Sequence, residues 1–105
     1  MHEKRYRIRL SAPLGLRNGT MVIRESDGKV DGWLEVMNRK NALSGRLSTD
    51  GALTITGAIQ SLISTIRYTA VGTVCGRKIL LNLKTDTGVC YPVSGEELTI
   101  DDKVL

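Results

Sequence analysis

The side chains that could carry chemistry in this 105-residue sequence are few and scattered. The single histidine is His2, beside the chain start. One histidine there argues against a histidine-based catalytic triad and against most histidine metal sites. The two thiols, Cys75 and Cys90, stand in no sequence context that would activate them, and both are expected as buried, inert groups. Glu96-Glu97 and Asp101-Asp102 are acid pairs, but neighbouring strand residues point to opposite faces, so neither pair can share a proton. Ser44-Gly45 and Ser94-Gly95 lack the strand-to-helix setting of a nucleophile elbow. No phosphate loop, dinucleotide fingerprint or calcium loop occurs. The chain is therefore expected not to be an enzyme and to need no cofactor or metal. What remains is binding chemistry. Tyr68 and Tyr91 offer hydroxyls on apolar faces, Leu14 and Leu16 are apolar residues in a predicted loop, and Arg39, Lys40 and Gln60 are polar groups in neighbouring connections. Together these seven form a candidate ligand site in which a small apolar or amphipathic molecule finds a few polar anchors.

Strands must position them. Tyr6-Arg7-Ile8-Arg9-Leu10 alternates, with Tyr6, Ile8 and Leu10 on one face. A second strand is predicted over Gly19–Glu25, a hairpin turn at Asp27-Gly28 and a third strand over Val30–Met37. The fourth carries Leu43, Gly45 and Leu47 on one face, and Asp50-Gly51 turns into a fifth with Leu53, Ile55, Gly57 and Ile59. The sixth places Ile66, Tyr68, Ala70, Gly72 and Val74 together, the seventh Ile79, Leu81 and Leu83, and the eighth Val89, Tyr91, Val93 and Gly95. Pro92 cannot donate to a ladder, so it is expected at a bulge or a partly open seam. No helical period persists, and a single short turn near Leu62 to Ile66 is the most the pattern allows.

Glycine recurs on the apolar faces at positions 32, 45, 57, 72 and 95. Such a residue weakens a flat strand but suits a sheet that bends sharply or walls that come close. Eight strands joined by short turns, with inward glycines, predict an all-β fold: a small antiparallel up-and-down barrel, one domain over residues 1–105, its core built from Ile, Leu and Val. A Greek-key barrel is the alternative. Longer connections near 11–18, 38–42, 60–64 and 86–88 gather at one end, which is expected to be the more open mouth.

The segment Asp50-Gly51-Ala52-Leu53-Thr54-Ile55-Thr56-Gly57 resembles a strand of the streptavidin-like or lipocalin-like, calycin-type barrels, which are eight-stranded meanders. The resemblance is architectural. Where lipocalins carry Gly-x-Trp this chain reads Gly19-Thr20-Met21, and its one tryptophan, Trp33, has outward parity. It implies a fold, and it transfers no binding residue.

Net charge is +4. Arginines crowd the first strand and acids the last, an asymmetry best read as two strands meeting across a closing seam, with Arg5, Arg7 and Arg9 facing Glu96. A nucleic-acid surface on the same arginines is the weaker reading, because Tyr6 points away from them and no stacking platform accompanies them. Cys75 and Cys90 fall about 23 Å apart on the strand layout, against the roughly 7 Å limit for a disulfide. Free thiols, and a start with no apolar signal segment, predict a cytoplasmic protein with no membrane span. Function is expected to be ligand binding, with a packed structural or homo-oligomerising module, covered through Trp33, Met37, Val71 and Leu80, as the alternative.

Overall fold

The computed structural model describes residues 2–12, 15–36, 39–60 and 65–98, except for the side chains of residues 12 and 15–17. The strands are β1 (His2–Ala12), β2 (Gly15–Ser26), β3 (Lys29–Val36), β4 (Arg39–Leu47), β5 (Ala52–Gln60), β6 (Thr65–Cys75), β7 (Lys78–Thr85) and β8 (Cys90–Glu97). Each pairs antiparallel with the next, and β8 returns to β1, so the sheet closes as an eight-stranded up-and-down barrel. The closing seam pairs Arg7 with Glu96 and Ile8 with Gly95. That is the seam the charge asymmetry predicts. Across it Lys4 Nζ lies 4.0 Å from Glu97.

Alternation fixes the rest. Tyr6, Ile8, Met21, Ile23, Leu34, Leu43, Leu53, Ile55, Ile79, Leu81 and Val93 point inward and form one buried cluster. Asp27 and Gly28 both adopt positive φ, 53° and 81°. This is the two-residue hairpin geometry whose twist matches the flanking strands, and the Asp-Gly pair supplies it at low cost.

The inward glycines explain how the wall closes. A β-carbon on Gly45 would land on the carbonyl oxygen of Thr54, one on Gly72 on that of Leu80, and one on Gly32 on that of Val22. Gly19 meets the carbonyl of Glu35 in the same way, while Gly57 and Gly95 stand 3.0 Å from the carbonyls of Ala42 and Arg7. For Gly32, Gly45, Gly57, Gly72 and Gly95 the oxygen belongs to the residue just before a register partner: Ile23, Ile55, Leu43, Leu81 and Ile8. The seams involved are β2/β3, β4/β5, β6/β7 and β8/β1, every second one around the ring. At each, the neighbouring backbone occupies the space a side chain would need.

Several expectations are corrected. β1 runs to Ala12 and β2 begins at Gly15, so most of the connection expected over 11–18 is strand. Val89 lies in the β7–β8 turn, where its N–H donates to Thr85 Oγ1 at 3.1 Å, and it is exposed. Pro92 makes no bulge against β7, where it pairs in register with Asn82. It falls one residue beyond the β1–β8 ladder, which ends at Leu10↔Val93, so no donor is missing there. Both cysteines are free, as the layout requires, but exposed rather than buried, because positions 75 and 90 have outward parity. Met37, Leu62, the short turn near Leu62 and the tail from 99 lie outside the described residues.

Replacing a glycine whose β-carbon meets backbone should cost more than replacing one that meets a side-chain end. Gly45→Ala is expected to lose about 3 kcal/mol or more, and Gly57→Val, which presses the Tyr68 phenol at 2.7 Å, roughly 1–3 kcal/mol. Urea denaturation midpoints check the order. A Gly45→Ala midpoint equal to the parent's would remove the close approach from the account.

Candidate functional site

Inward rows do not end with the hydrophobic core. On β1 the row Leu10, Ile8, Tyr6 continues through Lys4 to His2, and on β2 Ile23 continues to Glu25, the register partner of His2. Leu47, Leu53 and Val74 extend the rows of β4, β5 and β6 to the same end. These residues line a cup of about 230 Å³ at the end that bears the tight turns 27–28, 48–51 and 76–77. Tyr6 is 1% exposed and lines the cup beside Ile23 and Leu53. The rim is polar: His2, Lys4 and Glu25.

Burial, and second the charge of Glu97, push the Tyr6 phenol up to about 12. At neutral pH it is therefore a hydroxyl, able to donate to an acceptor in the cup. Glu97 holds Lys4 from one side. Glu25 is committed in part, accepting the Gly28 N–H at 2.9 Å. The cup thus joins apolar walls to a phenol and one ammonium.

Beyond the Tyr6 layer the described side chains pack closely in the middle of the lumen. A void of about 10 Å³ remains among Ile8, Met21, Leu34, Tyr68, Leu81 and their neighbours. That is about the volume of one water, and its apolar lining would give a water too few partners. The far end is tied by Asn41, which is buried: its Nδ2 donates to the carbonyls of Leu34 (3.3 Å) and Arg39 (3.2 Å), and its Oδ1 accepts the Gln60 N–H at 3.1 Å.

The residues singled out from sequence separate accordingly. Tyr68 is buried in the lumen, with its ring over Gly57. Tyr91 is half-buried against the core. Lys40 stands on the outer wall with its ammonium 4.9 Å from the Trp33 ring centre, and Arg24 is 5.6 Å from the same centre. Gln60 is exposed with outward parity, and Arg39 is exposed at the strand end. Leu14 lies outside the described residues, as does the side chain of Leu16. Among the described residues, the cup lies at the opposite end from the one that loop length favours. Once β2 and β4 are extended to Gly15 and Arg39, the expected difference in loop length largely disappears. His2, Lys4, Tyr6 and Glu25 were findable by carrying the β1 and β2 alternation two residues past its last apolar member.

The sequence matches no family model, and neither the curated proteins nor the solved structures return a match to the chain. Among the described residues no group of three or more His, Cys, Asp or Glu could hold a metal ion, and no helix is long and apolar enough to cross a membrane.

The Tyr68 hydroxyl is buried without a hydrogen-bond partner, and burial raises its pKa to about 12. Removing an unsatisfied polar group relieves its desolvation, so Tyr68→Phe should stabilise the fold by about 1 kcal/mol. A loss of stability on thermal melting would show that the hydroxyl has a partner. Both phenols sit above their unfolded value near 10, so the native state holds protons that the unfolded chain releases. Their contribution is whole below pH 10 and is lost as pH rises toward 12. Ultraviolet titration should find two of the three tyrosines ionising near pH 12 together with unfolding, and ionisation of all three near 10 in folded protein would contradict this.

Proposed function

We propose that the chain is a small-molecule-binding barrel, acting without catalysis, whose site is the end cup rather than the central lumen. The observation that carries this reading is the cup itself: about 230 Å³ of space beside a central lumen in which the described residues leave only about 10 Å³. Its lining dictates the ligand class. Leu47, Leu53, Ile23 and Val74 suit a short apolar body, and the Tyr6 hydroxyl and Lys4 suit one hydrogen-bond-accepting or anionic head. In this reading the polar groups Tyr6, Lys4, His2 and Glu25 serve as ligand anchors, and no serine, threonine or cysteine is among the residues lining the cup. Two exposed free thiols suit a reducing compartment such as the cytoplasm.

A second reading, a packed structural or self-associating module, is favoured by Val71 (54% exposed) and Leu80 (60%) on the outer faces of adjacent strands. Scattered exposed apolar residues are common on soluble proteins, so this is the weaker reading.

Hexanoate and hexanol distinguish the two. Burying a hexyl chain contributes about 0.8 kcal/mol per methylene before association costs, so Kd values near 1 mM are expected. Calorimetric titration should give saturable binding of both. Val74→Phe should abolish it, and Lys4→Gln should weaken the acid but not the alcohol. Absence of saturation, or binding that survives Val74→Phe, would favour the packed module.

A further inference from the structure

A second recess lies on the outside of the barrel, where β7, β8 and β1 meet at the closing seam. It is an open groove of about 670 Å³ whose charged lining includes Arg7, Arg9, Arg77 and Lys78, with Leu80 and Ser94 beside them. Register places these side chains in rows. Arg7, Glu96 and Lys78 stand abreast on three adjacent strands, and Arg9, Ser94 and Leu80 form the next row. Arg7 and Arg9 are therefore about 7 Å apart along the strand, and Arg7 and Lys78 about 10 Å apart across two strand spacings. Elsewhere on the barrel, cations have found acids: Arg24 bonds Asp31 at 3.1 Å and Lys4 faces Glu97. Arg7, Arg9 and Lys78 have no ion-pair partner among the described residues, although Glu96 is the register neighbour of both Arg7 and Lys78. Two carboxylates, Glu96 and Glu97, line the groove beside four cations, Arg7, Arg9, Arg77 and Lys78, and Glu97 also faces Lys4, so the groove remains positive.

We propose that this groove binds the phosphate backbone of a single-stranded nucleic acid without regard to sequence. Three features select that partner. The arginine fork matches phosphate oxygens in pairs, and a repeating anionic backbone can satisfy a row of cations that a single anion cannot. An acidic peptide would ordinarily gain main-chain bonds by adding to a sheet edge, and the closed ring of eight paired strands has no edge to offer. A rigid duplex meets a recess of this kind only at its rims, whereas a single strand lies in it. No aromatic ring lines the groove, so bases are not stacked and the binding is weak and indifferent to base identity. The groove lies on the outer wall and shares one residue with the cup's surroundings, Glu97, which faces Lys4.

Fluorescence anisotropy with a labelled oligothymidylate of about 15 nucleotides at about 50 mM salt tests the proposal. Three phosphate contacts predict that log K falls with log salt at a slope near −2. The triple variant Arg7→Gln, Arg9→Gln, Lys78→Gln should bind at least about tenfold more weakly and flatten that slope. A charge-matched triple on other walls, Lys29→Gln, Arg46→Gln, Arg67→Gln, should stay within about twofold of the parent. Circular dichroism melts establish that both variants fold. Equal loss in the two triples would show net charge alone at work and overturn the proposal. So would an oligothymidylate that does not bind, or polyglutamate competing as well as unlabelled oligothymidylate, which would make the groove a site for acidic peptide.

Discussion

The close approach of one backbone to the next at alternate seams is the constraint on which the rest of this barrel depends. Eight strands make a ring whose inside is just wide enough for side chains to fill, and such a ring must curl hard. At Gly32, Gly45 and Gly72 the curl brings a neighbouring carbonyl into the volume of an absent β-carbon. With any side chain there, the wall would have to open and β8 would not reach β1. The cost of glycine, an unfolded chain with more freedom to lose, is accepted at several strand positions in exchange for closure.

The same constraint divides the inside. Where glycines lie opposite large residues the lumen fills: Tyr68 covers Gly57, and the methyl groups of Ile8 and Ile79 cover Gly95. Among the described residues, space reappears where the inward rows pass from Ile and Leu to Lys4, His2 and Glu25, whose heads seek water. A packed shaft under a polar-rimmed cup follows from where the apolar residues stop, and the proposed ligand class rests on the same boundary.

Much of this was legible in the sequence. The alternation at Tyr6-Ile8-Leu10, the Asp27-Gly28 turn and the inward glycines carried the strand count, the topology and the closing pair Arg7↔Glu96. Failures came where a residue's habits were set above its place in the pattern. Cysteine is usually buried, yet parity already placed Cys75 and Cys90 outward. A connection was expected over 11–18, yet β2 runs back to Gly15, and Gly19 within it answers the carbonyl of Glu35. The cup was missed because polar residues were read as the end of a strand's inner row, when the row continues past them. The groove cations were seen as a seam, but their surplus over Glu96 needed the β7 register, which brings Lys78 alongside.

The central claim is that ligand enters at the Tyr6 end and that the opposite half of the lumen is closed to it. Methyl-resolved NMR during an octanoate titration addresses it directly, since Ile23, Leu47, Leu53 and Val74 report on the cup while Val36, Ile59 and Leu83 report on the far half. The account predicts saturable shifts confined to the first group. Shifts centred on Val36, Ile59 and Leu83, or none in either group, would contradict it.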